Sequence, residues 1–207
     1  GGPKSRVKPK NLEELVRHFI LDHSEELFIA KGYMRTSMDT IARACGLSKP
    51  TLYNYFHGKH EIFTELYQRL YRGLYDKIKV LLTLDKDKVQ ILQDVIDEYF
   101  AWLDAKKDFL QMYFREQHLV IHEDIDEHMA WHVKSKREMV GLLSQALEGI
   151  IRPELRKRFG VTIVASTILN IFEGLSANPN PPSAEDLLTQ KAFLVELLHQ
   201  GVLAGGR

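Results

Sequence analysis

Apolar residues along the chain recur with the period of a helix almost from end to end. Leu12, Leu15, Val16, Phe19, Ile20, Leu27 and Phe28 fall at helical spacing and stop before Gly32. Thr36 and Ser37 each offer a cap for a short second helix, and Thr36 with Asp39 has capping-box spacing. That helix runs through Ile41 and Ala44 to Gly46, a residue suited to a left-handed turn. Ser48 then caps a third helix over 49–55, with Pro50 in the first turn, where its missing amide costs little. A fourth helix over 59–84 carries Ile62, Phe63, Leu66, Leu70, Leu74 and Ile78 on one face and breaks at Asp85-Lys86-Asp87. Further helices are predicted over 88–105, 107–119, 124–150 and 153–177. The run Asn178 to Pro182 reads as a loop, and Ser183 caps a last helix reaching about 203. No alternating strand pattern and no internal repeat stands out. The expectation is an all-α chain of about nine helices.

Composition narrows the class. The 207 residues are 44% hydrophobic and 27% charged, ordinary for a soluble globular protein. No run approaches the ~18 apolar residues of a membrane span, and no leader with a cleavage site is seen. One cysteine, Cys45, excludes an internal disulfide and suits a reducing, cytoplasmic setting. The zero net charge hides a division. Residues 1–60 hold ten Lys/Arg against six Asp/Glu, leaving eighteen against twenty-two in the remainder. A cationic amino end can meet a polyanion while the whole chain stays neutral. Lys4, Arg6, Lys8 and Lys10 make the first ten residues a basic, disordered tail by expectation, either merely solvated or lying along DNA.

Two short helices joined by a glycine turn, behind a longer first helix, describe a helix-turn-helix. Its second helix must pack on one side and enter the major groove on the other. Leu52 and Phe56, four apart, form the inner stripe; Lys49, Pro50, Thr51, Asn54 and Tyr55 are left outside, with Tyr53 at the margin. Hydroxyl, amide and ammonium groups of this kind suit base edges and phosphates. A polar surface helix with no ligand shows the same periodicity.

The residues themselves go further. The run LFIAKGYMRTSMDTIARACGLSKPTLYNYFHGKHEIF, Leu27 to Phe63, resembles the DNA-binding domain of the TetR family of bacterial transcription regulators. The resemblance rests on Lys31-Gly32-Tyr33, Thr36-Ser37-Met38, Ile41-Ala42, Gly46-Leu47-Ser48, Lys49, Thr51-Leu52-Tyr53, Phe56 and Lys59 at unbroken spacing. It implies a head at 11–58, an effector-binding and dimerisation bundle at 59–203, and a frayed end at 204–207. It also implies phosphate contacts by Ser37, Ser48, Tyr53, Tyr55 and Lys59, and base contacts by Lys49, Pro50, Thr51 and Asn54. Asp39 departs from this pattern, being acidic near the expected DNA surface. Tyr33 and Cys45 read as packing residues.

The resemblance further implies a homodimer on a two-fold operator, release by a small apolar or amphipathic effector, repression as the commoner mode, and no enzyme activity or cofactor. The expected dimer surface is the last two helices, with Ile168, Phe172, Leu175, Phe193, Leu194, Leu197 and Leu198, since the last helix is apolar on more than one face. The expected pocket draws on Phe100, Leu103, Tyr113, Phe114, Met129, Asn170 and Glu173, and Arg72, Gly73 and Tyr75 lie where helix four would transmit its occupancy. Two readings compete. A bundle that binds a protein partner needs no pocket. A metal site, for metal sensing or for a metal-dependent helical enzyme, could use His118 with His122, or His128 with His132, each pair four apart; a solvated charged junction is the plainer account of that segment.

Overall fold

The computed structural model describes residues 9–119, 125–178 and 183–204. Nine α-helices carry the described residues: α1 Pro9–Lys31, α2 Met38–Ala44, α3 Lys49–Tyr53, α4 Lys59–Leu82, α5 Lys88–Glu116, α6 Ile125–Leu147, α7 Pro153–Phe159, α8 Val161–Ser176 and α9 Ala184–Leu197. Lys4, Arg6 and Lys8 of the basic tail lie outside the described residues, whereas Pro9 and Lys10 already belong to α1.

The chain divides into two compact units after Arg69, inside α4, rather than at the expected 58/59. The first turns of α4 build the head's core. Ile62, Phe63 and Leu66 are buried with Ile20, Leu21, Phe28, Tyr33, Ile41, Leu52 and Phe56. Phe63 meets Phe28 edge-on at 5.4 Å and Tyr33 at 4.9 Å. Arg69 ties the same helix to Asp22 and Glu25 at 2.7 and 3.0 Å. The inner face of α1 is Ile20, Leu21, Ser24 and Phe28, while Leu12, Leu15 and Phe19 are exposed, so the expected apolar stripe is rotated.

Ser37, not Thr36, caps α2, its Oγ accepting from the Thr40 amide at 3.2 Å. Thr36 is buried, its hydroxyl donating to the Gly32 carbonyl at 2.8 Å. Gly46, at φ 66°, lets the Leu47 amide return to the Ala42 carbonyl at 2.9 Å, a turn that closes the orphan carbonyls of α2.

In the second unit α8 packs on α6, α5 and α7, and α9 on α5. The stretches expected at 88–105 and 107–119 are one helix, since Ala105-Lys106-Lys107 contains no breaker. Conversely, the stretch expected at 153–177 is two helices meeting at 96°, because Gly160 takes φ 77° between them. Ser183 and Asp186 form a capping box at the start of α9, and those hydrogen bonds hold the Asp186 carboxyl below its ordinary value. After α9 a π-helical turn, Leu198–Val202, leads to an antiparallel bridge between Leu203 and Ile151. The Ala204 amide donates to the Ile150 carbonyl at 2.7 Å, so residue 204 is sewn in rather than frayed. No single described helix is long and apolar enough to cross a membrane.

Candidate nucleic-acid interface and bundle cavity

Helix α3 begins at Ser48, whose Oγ accepts from the Thr51 amide at 3.2 Å and shares a 2.6 Å hydrogen bond with the Thr51 hydroxyl. Leu52 and Phe56 are fully buried, which turns Lys49, Pro50, Tyr53 and Asn54 outward, with Thr51 and Tyr55 half-buried beside them. One short helix therefore offers solvent an ammonium, a hydroxyl, an amide and an aromatic ring on a single face.

Two features hold that face in place. The guanidinium of Arg17 donates to the Tyr55 carbonyl and to Glu65, sits 3.5 Å from Glu61, and lies 4.1 Å from the centre of the Phe56 ring. Lys59 donates to the Tyr33 and Thr36 carbonyls at 2.9 and 3.1 Å and covers the Tyr33 ring at 4.2 Å. Its ammonium thus pins the turn before α2 to the start of α4. Glu61 accepts from the His57 amide at 2.7 Å, placing a carboxylate in the first turn of α4, at its positive end.

Asp39 reaches Lys49 at 3.1 Å, and its hydrogen bond and negative charge push the lysine above its ordinary value. Both groups are more than half exposed, so the pair is a weak restraint in water. Replacing Asp39 with Asn is expected to strengthen duplex binding and steepen the slope of log K against log salt by about 0.9, one phosphate's worth. Anisotropy titrations over a salt series that showed neither change would remove Asp39 as a restraint on Lys49.

The second unit holds a partly open apolar cavity of about 30 Å³, room for a water or two. Its walls come from Tyr71, Tyr75, Ile78, Val95, Tyr99, Met139, Leu169 and Phe172, with Glu173 and Ser176 as polar members. The Tyr71 hydroxyl shares a 2.8 Å hydrogen bond with Ser176, and the Tyr99 hydroxyl donates to the Phe172 carbonyl. The Tyr75 hydroxyl has no hydrogen-bond partner among the described residues. Burial, with the charge of Glu173 adding to it, pushes Tyr75 well above the usual phenol range. Burial holds His132, edge-on to Tyr71 at 6.4 Å, below the ordinary imidazole value. Glu173 pairs through Oε2 with Lys136, which also donates to Asn170 at 2.8 Å.

Residues 20–66 match the sequence profile of the bacterial regulatory proteins of the tetR family. The match covers the head and the first turns of α4 and marks that part of the chain as tetR-like. Among relatives, the HTH-type transcriptional activator FasR of Mycolicibacterium smegmatis is 27% identical over 48% of this chain and 46% of its own. The chain spans about half or less of the curated relatives it first matches. Two solved structures share the fold. The fatty acid degradation regulator FadR from Bacillus halodurans has a TM-score of 0.64 at 18% identity, over 95% of this chain and 98% of that one. SmeT, the repressor of the Stenotrophomonas maltophilia multidrug efflux pump SmeDEF, has a TM-score of 0.66 at 19% identity, over 92% and 91%.

Within this tetR-like head, the structure brings the nine expected DNA residues to one short stretch, α2 to the start of α4, but gives three of them a second duty. Ser37 and Ser48 are helix caps, and Lys59 is an internal staple. Of the expected pocket residues whose side chains are described, Glu173 lines the cavity and the others do not. Leu103 and Tyr113 are core residues elsewhere, and Phe114 stacks edge-on against Tyr113. Phe100 lines a shallow outer groove with Asp97, Asp104 and Leu188, and exposed Asn170 meets the cavity only through Lys136. The side chain of Met129 lies outside the described residues. Arg72 and Gly73 are exposed, while Tyr75 is a wall. Tyr71, four residues before Tyr75 along α4, is a wall residue that the helical spacing could have pointed to. Among the expected dimer residues, Ile168, Phe172, Leu194 and Leu198 are buried within the chain, whereas Phe193 and Leu197 are exposed and Leu175 is half-buried. Ile163, Ile171 and Leu188 join the exposed set. His122 and the side chain of His128 lie outside the described residues; His118 is exposed and His132 faces Tyr71. Among the described residues no three of His, Cys, Asp and Glu gather as metal ligands. Cys45 is buried, and burial pushes its thiol up, away from a reactive thiolate.

Proposed function

We propose that this chain is a DNA-binding transcription regulator that acts in the cytoplasm as a homodimer on a two-fold operator. Its affinity for DNA would be set by a small apolar or amphipathic effector held in the bundle. The outward face of α3, fixed by the full burial of Leu52 and Phe56, carries this reading. One such helix meets only a few base pairs, so two heads about 34–36 Å apart are needed to single out a site. Exposed Ile163, Ile171, Leu188, Phe193 and Leu197 on α8 and α9 supply the apolar surface for pairing. Repression needs only that the bound dimer obstruct a promoter, and it is the mode we propose. FasR is named as an activator and SmeT as a repressor, so a reporter assay decides the sign.

An effector would release DNA to the extent that it prefers the non-binding arrangement of the heads. Helix α4 supplies Lys59 to the head and Tyr71, Tyr75 and Ile78 to the cavity wall, which supports it as the transmitting element. A second reading, a protein partner on the bundle instead of a small ligand, is favoured by one observation. The cavity is far smaller than the ~300 Å³ at which drug-sized pockets begin. Against it stand the unpartnered Tyr75 hydroxyl and Glu173 oxygen, polar groups that a purely structural core would have satisfied.

Selection of bound duplexes from a random pool tests the DNA reading, and a compound screen for release tests the control. Thr51→Ala and Asn54→Ala are expected to change sequence preference, costing ~1–3 kcal/mol at a contacted base pair. Equal losses on every duplex would argue against base reading by α3.

A further inference from the structure

The Glu173 carboxylate is handled unevenly by the fold. Oε2 is paired with Lys136. Oε1 is buried with no hydrogen-bond partner among the described residues, on a side chain that lines the cavity. A buried carboxylate oxygen left without a donor is costly, a cost that the Lys136 ion pair on Oε2 offsets without satisfying Oε1. The surroundings of that oxygen are aromatic. Tyr71, Tyr75, Tyr99 and Phe172 line the same space, with Tyr99 and Phe172 rings 4.5 Å apart and Tyr71 and Tyr75 6.0 Å apart. The Tyr71 and Tyr99 hydroxyls are already engaged, which leaves the Tyr75 hydroxyl as the neighbouring polar group without a partner.

We propose that this cavity selects an organic cation: a protonated amine whose N–H groups reach Glu173 Oε1 and the Tyr75 oxygen, with an apolar body against the aromatic walls. This deepens the ligand-responsive reading above, and rests on it only for the consequence at DNA. Three points favour a cation over an anion or a neutral molecule. The ring faces of tyrosine and phenylalanine attract positive charge, more strongly where water is excluded. Lys136 is committed to Glu173 and Asn170, so an incoming carboxylate would find no spare ammonium and would sit beside a like charge. His132, lowered by burial, does not supply the missing charge near neutral pH. A neutral alcohol can donate to Oε1 but gains nothing from the ring faces. The apolar body needs more room than about 30 Å³, and Met139, with its flexible thioether chain, is the wall most able to yield.

The test is calorimetric titration of the full chain with three compounds sharing one body: 2-phenylethylammonium, 2-phenylethanol and 3-phenylpropionate. The ammonium is expected to bind about tenfold or more tightly than the alcohol, and the carboxylate weakest of the three. Glu173→Gln should remove about that advantage while leaving the alcohol unchanged. Equal binding of ammonium and alcohol, preferred binding of the carboxylate, or binding by none of the three would each overturn the proposal. The ranking on the unaltered protein decides alone should the variant fail to fold. Anisotropy of labelled operator, run in parallel, separates the two readings. The expected ranking without any change at DNA would leave the cation site standing and sink its regulatory role. Release of DNA by the alcohol or the carboxylate, but not by the ammonium, would keep the regulator and sink the cation.

Discussion

Phe193→Asp is expected to give a folded monomer, whereas Leu194→Ala gives a destabilised protein. The two residues are neighbours in sequence and opposites in the structure: Phe193 is 67% exposed and Leu194 3%. A carboxylate at Phe193 meets water in the isolated chain and an apolar surface in the proposed dimer, so its cost falls on association. Loss of one head from the complex should weaken operator binding about a hundredfold or more, since the second contact is made at high effective concentration. Sedimentation equilibrium and operator titration read both effects. Leu194→Ala removes a buried side chain and leaves a hole, at a cost of ~2–5 kcal/mol in thermal or denaturant unfolding. A dimeric Phe193→Asp variant would place the interface elsewhere; a stability unchanged in Leu194→Ala would contradict its inward face.

Arg17→Met is expected to loosen the reading head. The substitution keeps an aliphatic stem against Phe56 but removes the donors to the Tyr55 carbonyl and Glu65. Glu61 and Glu65 are then left facing each other without a cation, and a half-buried carbonyl loses its donor. Because these groups retain some water, the expected cost is about 2 kcal/mol, below that of breaking a fully buried pair. Hydrogen exchange at the amides of Leu52, Tyr55 and Phe56 should accelerate, and affinity should fall on every duplex while preference among duplexes is kept. A changed preference would instead make Arg17 part of the reading surface.

The helix-turn-helix could be read from the chain because its determinants are local. Ser48, Pro50 and Gly46 act within a few residues of themselves, and Leu52 with Phe56 needs only the helical period to find its face. The proposed dimer face of α9 could not, because Leu187, Leu188, Phe193, Leu194, Leu197 and Leu198 surround the helix, and only the position of α5 decides which of them it buries. The same limit applies to α1, where Leu12, Leu15 and Phe19 have the spacing of a core stripe but lie outside it. The cavity is hidden for a different reason: the Tyr71 hydroxyl is marked as a wall group only by its partner Ser176, 105 residues away on α8. The break at Gly160 rests on a single left-handed residue, and helical periodicity is blind to it.

The Lys59 staple has a kinetic consequence. An ammonium shared by the Tyr33 and Thr36 carbonyls fastens the segment before α2 with no outside help. The turn before α2 would consequently meet a duplex already formed, with little of its ordering left to the moment of encounter. The head's search along DNA should therefore be limited by diffusion and orientation, and discrimination between sites should show mainly in how long each complex lasts.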